Sequence, residues 1–460
     1  MTVDATTTTT TTTNPRNITV IGCGYLGAVH AAAMADIGHN VLGFDVDVDK
    51  VALLNTGHTP FYEPGLDELL ERALATGRLR FTTSYEETAT FGDVHFLCVG
   101  TPQQKGSHAA DLVYVRSAIQ TLAPMLTKPS LVVGKSTVPV GTAEWVRDEL
   151  HRLAPAGEDI RLAWNPEFLR EGFAVQDTLR PDRLVIGVES QRDEAELADL
   201  YAPIRAQGMP WVVVDLATAQ LVKNAANAFL ATKISFINAM AELCEATGAD
   251  VVALADAIGH DARIGRRFLQ AGVGFGGGCL PKDLRGFMAR ADELGVDQAL
   301  AFLRDVDDIN MRRRRRAVDV AIELLGGSVN GANIAVLGAA FKPDSDDIRD
   351  SPALDVATSL HDIGANVVVT DPKALDNARR TRPGLTYIED VREAVANADV
   401  LLHLTEWREY RDLDPAEIGS LVSHRNILDG RNALDAKLWQ DAGWDIRALG
   451  RPSLGHSHAQ

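Results

Sequence analysis

Short apolar runs recur along the chain, each closed by Gly, Asp or Pro and separated by stretches with apolar residues at helical spacing. NITVIGCGYLG is a β-branched run opening into a glycine turn, the alanine-rich stretch from Ala28 to about Ile37 predicts a helix, and NVLGFDVD predicts the next strand. VHFLCVG, LVVGKSTVPVG and RLVIGV read as further strands, alternating with helical LDELLERALATG and TAEWVRDELHRL. Such alternation predicts a parallel, doubly wound sheet with ligands gathered at the carboxyl ends of its strands. From about Leu216 the rhythm changes. AQLVKNAANAFLATKISFINAMAELCEATG has no Pro, no Gly until its end, and apolar residues on more than one face. It predicts a long helix buried between domains or against a second subunit. VVALADAIG continues as helix into a glycine-rich loop. Near Asn333 the first rhythm returns, with NIAVLGAAFKPD as strand and loop, DSPALDVATSLHDIG as helix, NVVVTDP as strand, and DVLLHLTEW in the place VHFLCVGTP holds earlier. The expected fold class is α/β: two Rossmann-like doubly wound parallel-sheet domains, 16–215 and 326–450, joined by a long central helix and helical connector, 216–325. A Thr-rich tail (1–15) and a flexible tail (451–460) flank them.

Composition narrows the class. Of 460 residues, 46% are hydrophobic and 23% charged, the balance of a soluble globular protein too long for one core. No apolar run is long enough to span a bilayer, and MTVDATTTTTTTTN lacks the basic-then-apolar pattern of a secretory signal, so a cytoplasmic protein is expected. The Thr tract has no apolar partner and predicts disorder. A net charge of −18 argues against nucleic acid or anionic membrane as partner. The run Arg312–Arg316 is expected to be a solvated helix face or a partner surface. Cys23, Cys98, Cys244 and Cys279 form no CxxC pair and no zinc spacing, so neither a disulfide framework nor a metal is expected.

Gly22, Gly24 and Gly27 stand at GxGxxG spacing between the first strand and helix, and Asp45 ends the second strand. In that context the glycines permit a tight turn, backbone approach to a pyrophosphate, and close packing of helix on strand, with the phosphates at the helix N-terminus. Asp45 can accept from both ribose hydroxyls and would repel a 2′-phosphate, which favours NAD over NADP.

The most distinctive segment is GVGFGGGCLPKDLRGF, Gly272 to Phe287. Glycines this dense are costly to order and serve to bring backbone close to a ligand and to expose the side chain beyond them. That side chain is the thiol of Cys279, with Lys282 and Asp283 one helical turn on; a nearby cation favours a nucleophilic thiolate. Lys223 and Asn227 are four apart in the long helical run, so they share one face. In an otherwise apolar run they are expensive unless satisfied.

Ten motifs in order, IGCGYLG, GFDVD, FYEPGL, VGTP, KSTVPVG, NPEFLREG, KNAANAFLATKISFIN, GFGGGCLPKD, AAFKPDSDDIRDSP and LDGRN, resemble those of the UDP-glucose/GDP-mannose dehydrogenase family, its UDP-glucose-oxidising branch above all. The resemblance runs from about Arg16 to Arg447. It implies oxidation of a sugar CH2OH to carboxylate with two NAD+, through a thiohemiacetal and a thioester on Cys279. It implies that Lys223 stabilises the developing alkoxide and oxyanion beside Asn227 and an ordered water. Asp283 would act with a water as base or water organiser, and Thr137 and Glu167 would hold a water and assist hydrolysis. For the cofactor it adds Tyr25, Leu26, Lys50, Thr101, Thr137, Glu171, Lys282 and Arg349 to the glycines and Asp45. For the substrate it adds Glu167, Phe168, Leu169, Lys223, Asn227, Arg263, Phe268, Gly272, Gly276, Phe341, Lys342 and Arg431. Lys342 and Arg431 suit a pyrophosphate, and Arg263 would reach across a dimer interface.

UDP-glucose is the expected sugar, because Gly278 stands where N-acetylmannosamine enzymes more typically have His before the Cys. GDP-mannose and UDP-N-acetylmannosamine are the alternatives within the same chemistry. A two-electron hydroxyacid dehydrogenase would need neither a nucleophilic Cys nor a second Rossmann-like domain. A non-catalytic NAD-binding protein would have no reason to keep competent residues at every one of these positions. A homodimer or higher homo-oligomer is expected.

Overall fold

The computed structural model describes residues 14–452, so the tails expected at 1–15 and 451–460 lie outside the described residues but for their inner ends. The chain forms two compact units, one reaching to Asn224 and the other starting at Ala225, with the boundary inside the long helix.

The first unit is built on an eight-stranded sheet: β1 Asn17–Ile21, β2 Asn40–Phe44, β3 Leu79–Thr82, β4 Val94–Leu97, β5 Ser130–Gly134, β6 Ile160–Trp164, β7 Leu184–Gly187 and β8 Trp211–Val214. Its order is β3-β2-β1-β4-β5-β6-β7-β8. The chain starts in the middle, winds to one edge through β3, returns beside β1 as β4 and winds outward again. That reversal between β1 and β4 opens the crevice where a doubly wound sheet binds its ligand. Strands β1 to β6 pair in parallel, and the near-continuous burial of β1, β4 and β5 is that of strands covered on both faces. One edge departs from this parallel arrangement. β7 pairs antiparallel with β6 at Trp164 and Gly187, and β8 runs parallel to β7. The segment between β6 and β7 holds the six-residue helix Ala174–Leu179, which packs on the first helix.

The first helix, α1, spans Tyr25–Asp36 and begins inside the glycine turn, three residues before the alanine run that predicts it. It is buried from Gly27 to Ala35, because small alanines let it settle between sheet and neighbouring helices.

The second unit holds most of the central helix, Leu216–Thr247, then helix Val251–Gly259, the cysteine helix Leu280–Glu293 and the arginine helix Phe302–Leu324. Its six-stranded sheet comprises β9 Asn333–Leu337, β10 Asn366–Thr370, β11 Thr386–Tyr387, β12 Val400–His403, β13 Asn426–Asp429 and β14 Asp445–Ala448. It is parallel throughout in the order β11-β10-β9-β12-β13-β14, the same winding as the first six strands of the other sheet. One apolar core joins this sheet to its helices, including Ala317, Val320 and Ala321 of the arginine helix, and to Val273 of the glycine-rich segment.

Among the described residues no helix is long and apolar enough to cross a membrane. His95 in β4 is wholly buried, with Nδ1 2.7 Å from Thr19 Oγ1. Burial, helped by Lys128, pushes the imidazole down to about 4. Between about pH 6.5 and about pH 4 the unfolded chain binds a proton that the native site refuses, so stability falls as pH drops through that window. We expect His95→Gln to flatten up to ~3 kcal/mol of this dependence in urea unfolding, since each pKa unit carries ~1.4 kcal/mol. Parallel pH profiles for variant and parent would refute it.

Candidate active site

The glycine turn after β1 shows a division of labour. Gly22 has φ +90° and lies against the Val99 backbone, a conformation and a gap that only glycine fits. A Cβ on Gly27 would overlap the Gly22 carbonyl oxygen, whereas one on Gly24 would meet nothing within 4 Å. Gly24 therefore faces open space at the start of α1, whose first amides have no side-chain cap. This is the place and polarity for a pyrophosphate. Asp45, at the end of β2, is 6% exposed and accepts from the Cys23 amide at 3.0 Å and Lys50 Nζ at 2.9 Å through Oδ2, and from the Asp47 amide through Oδ1. The geometry fits a dinucleotide: a fixed carboxylate stands beyond a bare glycine turn, and its Oδ1, which accepts a single bond, keeps a lone pair for a ribose hydroxyl.

At the carboxyl ends of β4, β5 and β6 the loops VGTP, KSTVPVG and NPEFLREG meet. Thr101 Oγ1 donates to the Thr137 carbonyl at 2.7 Å, and Ser136 Oγ to the Val99 carbonyl at 2.6 Å. Below them Lys135 is buried with its Nζ 2.9 Å from Asn165 Oδ1, which also accepts from the Tyr201 hydroxyl at 2.7 Å. Burial pushes Lys135 down to about 8, opposed by the Cys98 thiol and Glu167. Glu167 turns one oxygen to the Leu169 amide at 2.7 Å and the other to Lys223 Nζ at 2.9 Å. Phe168 lies under Lys223 and is stacked by Arg183 at 3.9 Å. Two residues expected in catalysis, Glu167 and Lys223, are thus one nearly buried ion pair.

Glu63 of FYEPGL was not singled out from sequence, yet it is 5% exposed and accepts from the amides of Gly172 and Ala174 at 2.7 Å and from the Tyr25 hydroxyl. It ties the start of α1 to the NPEFLREG loop that carries Glu171. Burial, with Glu63 beside it, raises the Tyr25 hydroxyl far above its ordinary value.

In the second unit, Ala271 to Gly277 are buried and Cys279 emerges exposed at the N-terminus of the cysteine helix. A helix N-terminus favours negative charge. Asp283, one turn on, is 4% exposed; Asn227 Nδ2 donates to its Oδ2 at 2.6 Å and Lys282 Nζ to its Oδ1 at 2.6 Å. The other three thiols differ in kind. Cys23, Cys98 and Cys244 are buried, and burial raises each, Cys98 to about 12. They are packing residues; Cys279 alone is presented to solvent.

The glycines before Cys279 pack closely against their own protein. Added Cβ atoms would overlap the Gly430 carbonyl at Gly272, Asn310 at Gly274, the Asp350 carbonyl at Gly276 and the Arg349 guanidinium at Gly278; at Gly277 one would stand 2.8 Å from the Phe341 ring. Arg431 is likewise occupied. Partly buried, it donates to the carbonyls of Leu404, Gly274 and Phe341 at 2.7, 2.9 and 3.0 Å. Lys342 lies over the Phe341 ring, Arg349 pairs with Asp347, and Arg263 pairs with Asp261 while remaining 89% exposed. Phe268 has φ +64°, a strained backbone for an aromatic residue just ahead of the glycine segment. Of the arginine run expected to be a solvated face or a partner surface, Arg312 and Arg315 are exposed, whereas Arg313 and Arg314 are buried and paired with Glu245, Asp350 and Asp355. Among the described residues no group of three or more His, Cys, Asp or Glu side chains could hold a metal.

Three segments match models of the UDP-glucose/GDP-mannose dehydrogenase family: its NAD binding domain over residues 16–205, its central domain over 217–312 and its UDP binding domain over 335–436. The chain belongs to this family. Within the UDP-glucose/GDP-mannose dehydrogenases it is 42% identical over 437 residues to a UDP-glucose 6-dehydrogenase of Rhizobium meliloti (strain 1021), covering 95% of this chain and 99% of the relative. It superposes on a UDP-glucose dehydrogenase from the hyperthermophilic archaeon Pyrobaculum islandicum with TM-score 0.88 at 38% identity, covering 95% of this chain and 98% of the other. It also superposes on a UDP-D-ManNAc dehydrogenase from Pyrococcus horikoshii with TM-score 0.84 at 28% identity, covering 95% and 100%. In this dehydrogenase family NAD is the cofactor of the first domain, and the GxGxxG turn and Asp45 lie inside it.

Sequence reading missed Glu63, Lys135, Asn165, Asn310 and Arg314. Each is a polar residue inside a motif or helix whose partner lies far along the chain, and no local periodicity marks it. We expect Gly24→Ala to fold as the parent but lose affinity for NAD, and Gly27→Ala to lose thermal stability even without cofactor, because only the latter Cβ meets backbone. Calorimetric NAD titration and melting curves of both variants check this; equal behaviour would contradict the division of labour.

Proposed function

We propose that the chain oxidises UDP-glucose to UDP-glucuronate, with Cys279 as the covalent nucleophile. The observation that carries this is the contrast among thiols: three buried ones and a fourth exposed at a helix start, one turn from a carboxylate already bound by Asn227 and Lys282. When bound, NAD+ supplies the hydride acceptor, twice per sugar. The work of the chain's own residues lies around that transfer. Lys223, an ammonium held by Glu167, stabilises the alkoxide as the CH2OH loses its proton. Once the aldehyde has formed, Cys279 Sγ adds to its carbonyl carbon and the oxygen takes up a proton, giving a thiohemiacetal that retains the reactive aldehyde. Loss of the second hydride and a proton leaves a thioester. Water, held by Thr137 and Glu167, adds to it, and the C–S bond breaks to give carboxylate and free thiol. Asp283, oriented by Asn227, organises water near the thiol.

Lys342 and Arg349 are the cations we assign to nucleotide and cofactor phosphates, with Phe341 and Phe268 against the nucleoside and Arg263 reaching a neighbouring subunit's site. Arg431 acts chiefly by holding the loops together, since three of its donors go to backbone carbonyls. UDP-glucose is preferred over UDP-N-acetylmannosamine because Gly278, and not a histidine, precedes Cys279. The UDP-glucose 6-dehydrogenase relatives support the same choice.

The chain assembles at least as a homodimer through the central helix. Phe229, Phe236 and Leu243 recur every seventh residue with 67%, 49% and 57% of their surface exposed, an apolar stripe that a second copy would cover. A cytoplasmic site of action suits four cysteines joined by no disulfide and a nucleotide-sugar substrate.

Offered UDP-glucose, the protein should form two NADH per sugar, and little with GDP-mannose or UDP-N-acetylmannosamine. One NADH per sugar would indicate a simple alcohol dehydrogenase; two from another sugar would overturn only the substrate. Cys279→Ser should fold normally and lose turnover by at least ~10³-fold, as loss of a covalent nucleophile does. If it still yields two NADH per sugar, the covalent assignment is wrong. Sedimentation should give a dimer or larger species for the parent, dissociating on Phe236→Asp; a parent that sediments as monomer at micromolar concentration rejects the interface.

A further inference from the structure

Asn310 and Arg314 lie one turn apart on the arginine helix, and both reach the same peptide group. Asn310 Oδ1 accepts from the Phe275 amide at 2.7 Å, and its Nδ2 donates to the Phe275 carbonyl at 3.0 Å, so one side-chain amide closes on both polar atoms of one buried residue. Arg314 donates to the same carbonyl at 2.9 Å, to the Asp350 carbonyl at 3.2 Å and to Asp350 Oδ1 at 2.7 Å. Asp350 also accepts from Arg285 of the cysteine helix at 3.1 Å through Oδ2. The Asp350 carbonyl fills the Cβ position of Gly276, and the Arg349 carbonyl accepts from the Gly277 amide at 2.8 Å. Gly274, at φ +94°, leaves the space that the Asn310 amide occupies.

We propose that Asn310 and Arg314 are positioning residues: a clamp on Phe275 that sets where Cys279 presents its sulfur. Between Phe275 and Cys279 lie only glycines, Gly276 to Gly278, and glycines hold no position by themselves. With Phe275 fixed from the arginine helix and Asp350 gripped from both the arginine and the cysteine helices, the intervening backbone has little freedom left. The clamp touches neither substrate nor thiol; it acts through the peptide backbone. It rests on the assignment of Cys279 as nucleophile.

Because the thiol serves only the second oxidation and hydrolysis, a loosened clamp has a signature that general destabilisation lacks. Asn310→Asp keeps the acceptor for the Phe275 amide but replaces the donor to its carbonyl with a repelling oxygen. Arg314→Lys keeps the charge beside Asp350 but cannot bridge two carbonyls with a planar fork. Each variant is assayed with UDP-glucose and NAD+, with and without hydroxylamine to trap aldehyde, alongside melting temperature and the rate of Cys279 alkylation by iodoacetamide. We expect the first oxidation to fall only a few-fold and the thiol-dependent second to fall about 10²-fold, the effect of misplacing a reacting group by about 1 Å. Trapped aldehyde should appear, NADH per sugar should drop toward one when the trap is present, and alkylation should change, with the second step falling far more than the first whatever the drop in melting temperature. Both steps falling in parallel with the melting temperature, both staying at the parent's rates, or neither variant yielding folded protein would each overturn the clamp. Failure of Cys279 as nucleophile is read separately: Cys279→Ser giving two NADH removes the parent assignment, whereas an inactive Cys279→Ser with normal clamp variants removes only the clamp.

Discussion

A buried peptide group must find a partner, and the segment Gly272–Gly278 buries a series of them without forming helix or strand. Its amides go to Asn238 Oδ1, the Gly430 carbonyl, Asn310 Oδ1, the Arg349 carbonyl and Asp347 Oδ2; its carbonyls at Gly274 and Phe275 go to Arg431, Asn310 and Arg314. An unpaired buried group costs about 1–3 kcal/mol, so these partners constrain the sequence far from Cys279. They explain why a pair of buried arginines sits in a charged helix and why LDGRN and IRDSP are attached to a loop that belongs to the central domain. Removing side chains from the loop let it nest so closely that the partners had to be supplied by neighbours.

The first unit solves a different problem, that of holding charge where water is scarce. Lys135 and Lys223 are both buried, and each is matched: Lys135 by the carbonyl oxygen of the Asn165 amide, Lys223 by the Glu167 carboxylate. Pairing reduces the desolvation penalty without abolishing it, which is why Lys135 sits well below an ordinary lysine. Because Asn165 and Glu167 are two residues apart in one loop at the end of β6, the buried lysine anchors the loop that presents the carboxylate. Strand ends supply such loops naturally, since the sheet fixes their roots while their backbones remain free to turn.

Much of this was legible in the sequence. The two sheets announced themselves through apolar runs spaced by helices, and the dinucleotide turn through glycines whose spacing reports local geometry. The exposed thiol announced itself through its contrast with three cysteines in apolar surroundings. Strands β3, β6, β8, β11, β13 and β14 were not marked, because edge or mixed-polarity segments such as LRFT and IRLAW carry weak alternation. The reversal at β7 was not legible either; strand direction depends on how the chain crosses the sheet, and composition carries no record of it.

By itself the sequence determined what is local: which stretches alternate apolar and polar positions with helical or extended period, where φ must be positive, which acid ends a strand, and which cysteine lies among glycines. Only the tertiary structure decided which polar groups meet. Glu63 and Gly172 are 109 residues apart, Gly274 and Arg431 are 157 apart, and Asn227 and Asp283 are 56 apart. Periodicity reports a residue's own environment, apolar or wet, because each position is selected by burial one at a time. A hydrogen bond between distant residues leaves no period behind, since either partner alone looks like an ordinary polar side chain until the fold removes the water around it.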